Sequence, residues 1–141
     1  MSCSHQGMII AALFGFTSCG KPSQADQQIA LEVVRRNVQA MQSGNVEEVL
    51  KTVHPQSPGY AQTRQVLEDL FKRFQLSCEL EELTVESVSR EGVRAGFVQV
   101  TDKVSGDDGF QKNRLRGTHM LKKDGATWKL WQTEVGEMEP L

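Results

Sequence analysis

Apolar side chains recur at helical spacing from Ile29 onward. Ile29, Val33, Val34, Val38 and Met41 fall on one stripe, with Glu32, Arg35, Arg36 and Gln39 between them. Gly44 follows as a stop residue, because glycine adopts the left-handed conformation that ends many helices. A second helix is predicted at once in "NVEEVLKTVHP". Asn45 supplies a cap, Glu48 sits at the capping-box position, and Pro55 ends the turn after His54. Ser57 and Pro58 suit the start of a third helix, whose apolar stripe reads Val66, Leu67, Leu70, Phe71 and Phe74.

After Leu76 the period drops to two. "CELEELTVESVSR" and "VRAGFVQVTDKV" alternate as strands around "EG". The flexible "SGDDG" leads to "FQKNRLRGTHMLKK", then a tight "DG" turn and "TWKLWQTEV". Residues 137–141 read as a frayed tail. Helices first and an antiparallel meander after predict an α+β fold: three N-terminal helices packed on a curved antiparallel sheet of about four strands.

The head of the chain follows neither pattern. No Asp, Glu, Lys or Arg precedes Lys21, although the whole chain of 141 residues holds 16 basic and 18 acidic ones. Met8 to Phe16 is a nine-residue apolar run, too short for the roughly 20 residues of a membrane-crossing helix but suited to a signal-peptide core. Phe16-Thr17-Ser18 before Cys19 resembles a bacterial lipobox, in which the cysteine is acylated and becomes the new N-terminus. The resemblance implies a signal peptide over 1–18, a lipid anchor at Cys19 and a polar tether over 19–28. The folded domain is then expected over 29–136, held in a bacterial cell envelope. Gly20, in place of the usual retention aspartate, points to the outer membrane where there are two. Cys3 leaves with the signal and Cys19 is acylated, so Cys78 is the one remaining thiol and no internal disulfide forms. The net charge of -2 gives no attraction for nucleic acid. No CxxC or metal-ligand cluster is present, and neither metal nor cofactor is expected.

The order of three helices and long antiparallel strands resembles the nuclear transport factor 2-like (SnoaL-like, cystatin-like) superfamily. So do "QSGNVEEVLKTV" and the closing "LRGTHMLKKDGATWKLWQTEV". The likeness covers roughly Ile29 to Val135 and implies a cone-shaped scaffold with a pocket between sheet and helices. That scaffold serves enzymes, binding modules and dimerisation domains alike, so it does not assign a function. Family enzymes of the ketosteroid isomerase type set an aspartate base in an apolar cavity with a tyrosine as oxyanion donor. Here Tyr60 is the one tyrosine, and Asp102, Asp107, Asp108 and Asp124 fall in or beside turns. The resemblance therefore carries no catalytic residue across.

Strand parity selects the candidate ligand-binding residues. Asn113, Leu115, Gly117, His119 and Leu121 share one face of their strand, and Phe97, Gln99 and Thr101 share a face of the neighbour. If those faces meet, Phe97, Gln99, Thr101, Asn113 and His119 surround a polar pocket, whereas a bulge between them would separate the two sets. His54 and Tyr60 are candidates for its rim. An imidazole at His119 can carry a proton near neutral pH, but a lone strand histidine is more often structural. Lys112, Arg114 and Arg116 form a basic stripe that reads as a solvated face balanced by Glu79, Glu81 and Glu82. Trp131, beside Thr133 and Val135, is a candidate homodimer contact through the sheet face. The first expectation is a non-catalytic binder of a small ligand or protein partner. The alternatives are a small isomerase, dehydratase or hydrolase using His119 or His54, and a dimerisation module.

Overall fold

The computed structural model describes residues 20–141; the signal-peptide and Cys19 expectations lie outside them. Three helices, α1 (Gln24–Ser43), α2 (Val46–Leu50) and α3 (Tyr60–Arg73), precede four strands, β1 (Phe74–Ser89), β2 (Gly92–Gly106), β3 (Asn113–Asp124) and β4 (Thr127–Pro140). The strands form one antiparallel meander in the order β1-β2-β3-β4. The α+β layout is the one the change of period predicts. Among the described residues no helix is long and apolar enough to cross a membrane.

Helix α1 begins five residues earlier than its apolar stripe suggests. The Ser23 side chain accepts from the Asp26 N–H, and Asp26 returns the bond to the Ser23 N–H, a reciprocal capping box. The second half of the segment expected as tether, residues 24–28, is therefore helix. The buried face is also rotated: Ala30, Leu31, Val33, Val34 and Val38 are buried, whereas Ile29 is 50% exposed. Ala30 faces inward because a methyl group lets the helix backbone approach the sheet, where a longer side chain would hold it off. At the other end Gly44 takes φ 69° and donates its N–H to the Met41 carbonyl, the left-handed stop expected of it. Asn45 caps α2 through the Glu48 N–H, but the Glu48 carboxylate pairs with Lys51 instead of closing the box.

The third helix starts at Tyr60, later than Ser57 and Pro58 suggest, and of its predicted stripe only Leu67 is buried within the helix. Val66 is 55% exposed, and Phe74 already belongs to β1. The closing tail is not frayed. It continues β4 to Pro140, pairing with β3 as far as Asn113, and the Leu141 N–H donates to the Lys112 carbonyl.

The main core lies between α1 and the sheet, where Val33, Val34, Val93, Ala95 and Leu121 are essentially inaccessible. Each fully buried Val or Leu there contributes about 1.5–3 kcal/mol relative to exposure. On the opposite sheet face the two arginines of the basic stripe are paired, while Lys112 and Glu79 take part in no ion pair among the described residues. Arg114 bonds Glu81 and Glu139 at 2.8 Å each, Arg116 lies 3.8 Å from Glu82, and Arg94 lies 3.0 Å from Glu134. These pairs stand partly in solvent and contribute little singly. Val98, between Glu82 and Arg116 in the register, is only 2% exposed.

Candidate functional site

Between strands β2 and β3 the register runs without interruption from Val93↔Leu121 to Thr101↔Asn113. The condition set by parity is therefore met: Phe97, Gln99, Thr101, Asn113 and His119 share the helix-facing side of the sheet. They do not converge on one cavity. Gln99 donates to the Thr101 hydroxyl at 3.1 Å, and that hydroxyl faces the buried Cys78 sulfur at 3.9 Å. Burial pushes the Cys78 thiol up, which keeps it protonated and unreactive. Asn113 donates to the Gln111 carbonyl at 3.0 Å, beside the outer end of the sheet.

His119 is the member of that set that reaches a cavity. The cavity is about 490 Å³ and opens between α1, the α2–α3 region and the β3–β4 hairpin. Asn37 and Met41 line it from α1, Thr63 and Leu67 from α3, and Leu130 to Thr133 from β4. Its size falls in the range of small-molecule pockets.

The imidazole of His119 is tightly placed. Phe97 stacks on it with ring centroids 4.2 Å apart and planes 12° from parallel. Its Nδ1 lies 2.7 Å from the Thr133 hydroxyl, and Nε2 has no hydrogen-bond partner among the described residues. Burial pushes its pKa down to about 4, because no nearby charge offsets the loss of water around a cation. The ring is thus neutral at neutral pH. Gly117 makes room for the stack: a Cβ there would collide with the Glu134 carbonyl oxygen and lie 3.1 Å from the Phe97 ring.

His54 has a different task. Its Nδ1 accepts from the Gln56 N–H at 3.1 Å, and its Nε2 lies 3.3 Å from the Lys123 carbonyl. An acceptor at Nδ1 and a donor at Nε2 define the neutral Nε2–H tautomer. The ring meets Trp131 edge-on at 5.0 Å and supports it from behind the cavity wall. Tyr60 packs with the cluster of Val49, Leu50, Val53 and Leu67 under the same wall.

Trp131 owes its position to a feature the sequence conceals. Opposite Met120 and Leu121, β4 presents Gln132 and Leu130, so Trp131 is an extra residue in a β-bulge. Simple alternation sets Trp128 and Trp131 on opposite faces; with the bulge Trp128 is core and Trp131 lines the cavity. The Lys122 ammonium lies 4.2 Å from the Trp131 ring centroid. Asn37 was another missed member. Its Nδ2 donates to the Thr52 hydroxyl at 2.9 Å, while Thr52 donates to the Val49 carbonyl at 2.6 Å. A polar residue recurring among the apolar positions of α1 was the available signal.

Among the described residues no Asp, Glu, Lys or Arg lines the cavity, and the titratable group in its lining is His119. A neutral imidazole bonded to a hydroxyl can position a ligand by hydrogen bonding. It lacks the carboxylate partner that orients and stabilises an imidazolium in general acid–base dyads. Among the described residues no group of His, Cys, Asp or Glu side chains is arranged to hold a metal ion.

Solved structures place the fold. A protein of unknown function with a cystatin-like fold from Nostoc punctiforme superposes with a TM-score of 0.63 at 11% identity, covering 80% of this chain and 91% of that one. A hexachlorocyclohexane dehydrochlorinase, LinA-type3 from Novosphingobium barchaimii, gives 0.64 at 11% identity, with 83% and 90% covered. A ketosteroid isomerase-like protein from Erwinia carotovora gives 0.54 at 15%, with 79% and 95% covered. At such identities the likeness shows the cystatin-like, nuclear transport factor 2-like fold, and that fold carries both enzymes and proteins without an assigned activity. No curated protein matches the chain. The family model described as the C-terminal domain of the anti-sigma-I factor RsgI9 matches residues 32–141, from within α1 through β4 to the last residue. This chain belongs to the family of the RsgI9 anti-sigma-I factor C-terminal domain.

Proposed function

We propose that this chain is a non-catalytic binding domain, held at a bacterial envelope membrane by lipid on Cys19, that takes a small ligand in the cavity beside His119. The observation that carries the binding role is the state of that histidine: neutral, bonded to Thr133, and without a carboxylate. An open cavity without an acid–base dyad suits recognition better than proton transfer. The family is named for a domain of an anti-sigma factor, and a regulator gains from a domain that reports a ligand.

The test uses the unlipidated full chain, Cys19→Ser, and the uncharged solvatochromic dye Nile red. Binding in the cavity gives a blue-shifted, enhanced emission that Thr63→Trp, which fills the cavity from α3, reduces at least about fivefold. Equal binding by both proteins, each with the same circular dichroism, rejects the cavity as the site.

The anchor rests on "FTSCG" and the uncharged run before it. In a bacterial host the natural chain is expected to incorporate labelled palmitate, and Cys19→Ala to lose the label. A natural chain that stays unlabelled and keeps residues 1–18 overturns the anchor and, with it, the envelope location.

A further inference from the structure

Three features of the cavity wall act together. The first is its charge. Every residue that lines it is uncharged in form or, for His119, held neutral by burial. The Lys122 ammonium is stacked over the Trp131 ring, and Arg64 pairs with Glu47 at the surface between α2 and α3. An ion entering this space loses water and meets no counter-charge.

The second feature is a pair of fixed polar groups. Thr52 gives its hydroxyl proton to the Val49 carbonyl, so it can only accept from Asn37, and this fixes which way the Asn37 amide turns. The Asn37 oxygen is left as an acceptor, and no protein donor meets it among the described residues. The Nε2 of His119, in the same lining, is also without a partner among the described residues, and the ring cannot turn away because Phe97 and Thr133 hold it. The third feature is the apolar remainder, chiefly Met41, Leu67, Leu130 and Trp131. The Trp131 indole is itself steadied by His54 at its edge.

The geometry points to an uncharged ligand with an apolar, ring-sized body against Trp131 and Leu67 and a polar group of the hydroxyl type near Asn37 and His119. A hydroxyl both donates and accepts. It can therefore donate to the Asn37 oxygen and accept from the His119 Nε2–H in the tautomer in which Thr133 gives its hydroxyl proton to Nδ1. A carboxylate cannot donate to Asn37, and an ammonium cannot accept from an Nε2–H. Both also bring an uncompensated charge into a wall that has none. This assignment rests on the binding role proposed above and adds the chemical class of what is bound.

Three ligands of one shape separate the classes: 2-naphthol, 2-naphthoate and 2-naphthylmethylammonium, neutral, anionic and cationic at pH 7.5. Each is titrated into the unlipidated full chain by calorimetry and in competition with Nile red. The expected result is that the naphthol binds at least about tenfold tighter than either ion and displaces the dye. Nile red bound without preference for the naphthol, or with an ion preferred, overturns the ligand class and leaves the binding role standing. Neither dye nor any naphthyl ligand bound overturns both. Asn37→Leu supplies a check on the polar pair: with the fold intact by circular dichroism, it is expected to bring the naphthol affinity down at least about fivefold while Nile red binding is kept. An unchanged naphthol affinity removes Asn37 from the recognition.

Discussion

The imidazole of His119 is the residue on which the chemistry of this molecule turns, and its environment has a consequence for stability. The groups facing it are the Phe97 ring, the Thr133 hydroxyl and the apolar cavity wall, with no carboxylate or cation among them. Its pKa falls from 6.5 in the unfolded chain to about 4 in the fold. The unfolded chain therefore binds the extra proton first as pH falls. The stabilising contribution is complete above pH 6.5 and is lost as pH drops toward 4, by on the order of 3 kcal/mol. Urea unfolding at pH 7.5, 6 and 5 is expected to show this loss, and a His119→Phe variant that folds should lack most of it. A profile equally flat in both proteins would return the imidazole to its ordinary pKa. Parity placed His119 on the inward face with Phe97, Gln99 and Thr101, and the unbroken register keeps them there. Parity has no power to say which of them reaches empty space, since that depends on where helices end above the sheet. Asn37 had a signal, a polar residue among the apolar positions of α1, whereas Trp131 is an inserted residue in a strand, and alternation alone does not say which of the two tryptophans meets the cavity.

At the level of elements, the helix and strand periods located all seven elements but not their edges or their exact faces. The inward stripe of α1 is set by Ala30 and Leu31 as much as by Val33 and Val34, and at Ala30 closeness of approach selects a small residue that hydrophobicity alone ranks low. The start of α1 was hidden by polarity. Ser23 and Asp26 make a reciprocal cap, and Asp26 also accepts from the Trp128 indole N–H at 3.3 Å, tying the helix start to the β3–β4 hairpin. The Ser23 backbone N–H and then the indole hold the Asp26 carboxyl below the usual carboxylate range. Ser23→Ala is expected to lose about 1 kcal/mol by urea unfolding. Asp26→Ala removes both the cap and the indole's acceptor and is expected to lose more. Equal stability of Asp26→Ala and the natural chain would show that the tie carries no weight.

Across the whole molecule, the meander leaves two outer strands, and β4 is the one beside the cavity. Its first part is not open. The segment Thr52–His54 runs alongside it: the Leu130 N–H donates to the Thr52 carbonyl and the His54 N–H donates to the Leu130 carbonyl, both at 2.8 Å. Past the bulge at Trp131 the strand carries Glu134, Glu137 and Glu139, with a second irregularity at Gly136. An unpaired strand border is a template on which another chain can add by backbone hydrogen bonding, the first step toward uncontrolled association. Here one stretch of that border is already paired by the protein's own loop, and the rest is irregular and negatively charged. With the anchor proposed above, a domain crowded beside many copies of itself on a membrane would thereby be protected from zipping into its neighbours, and its recognition would be left to side chains.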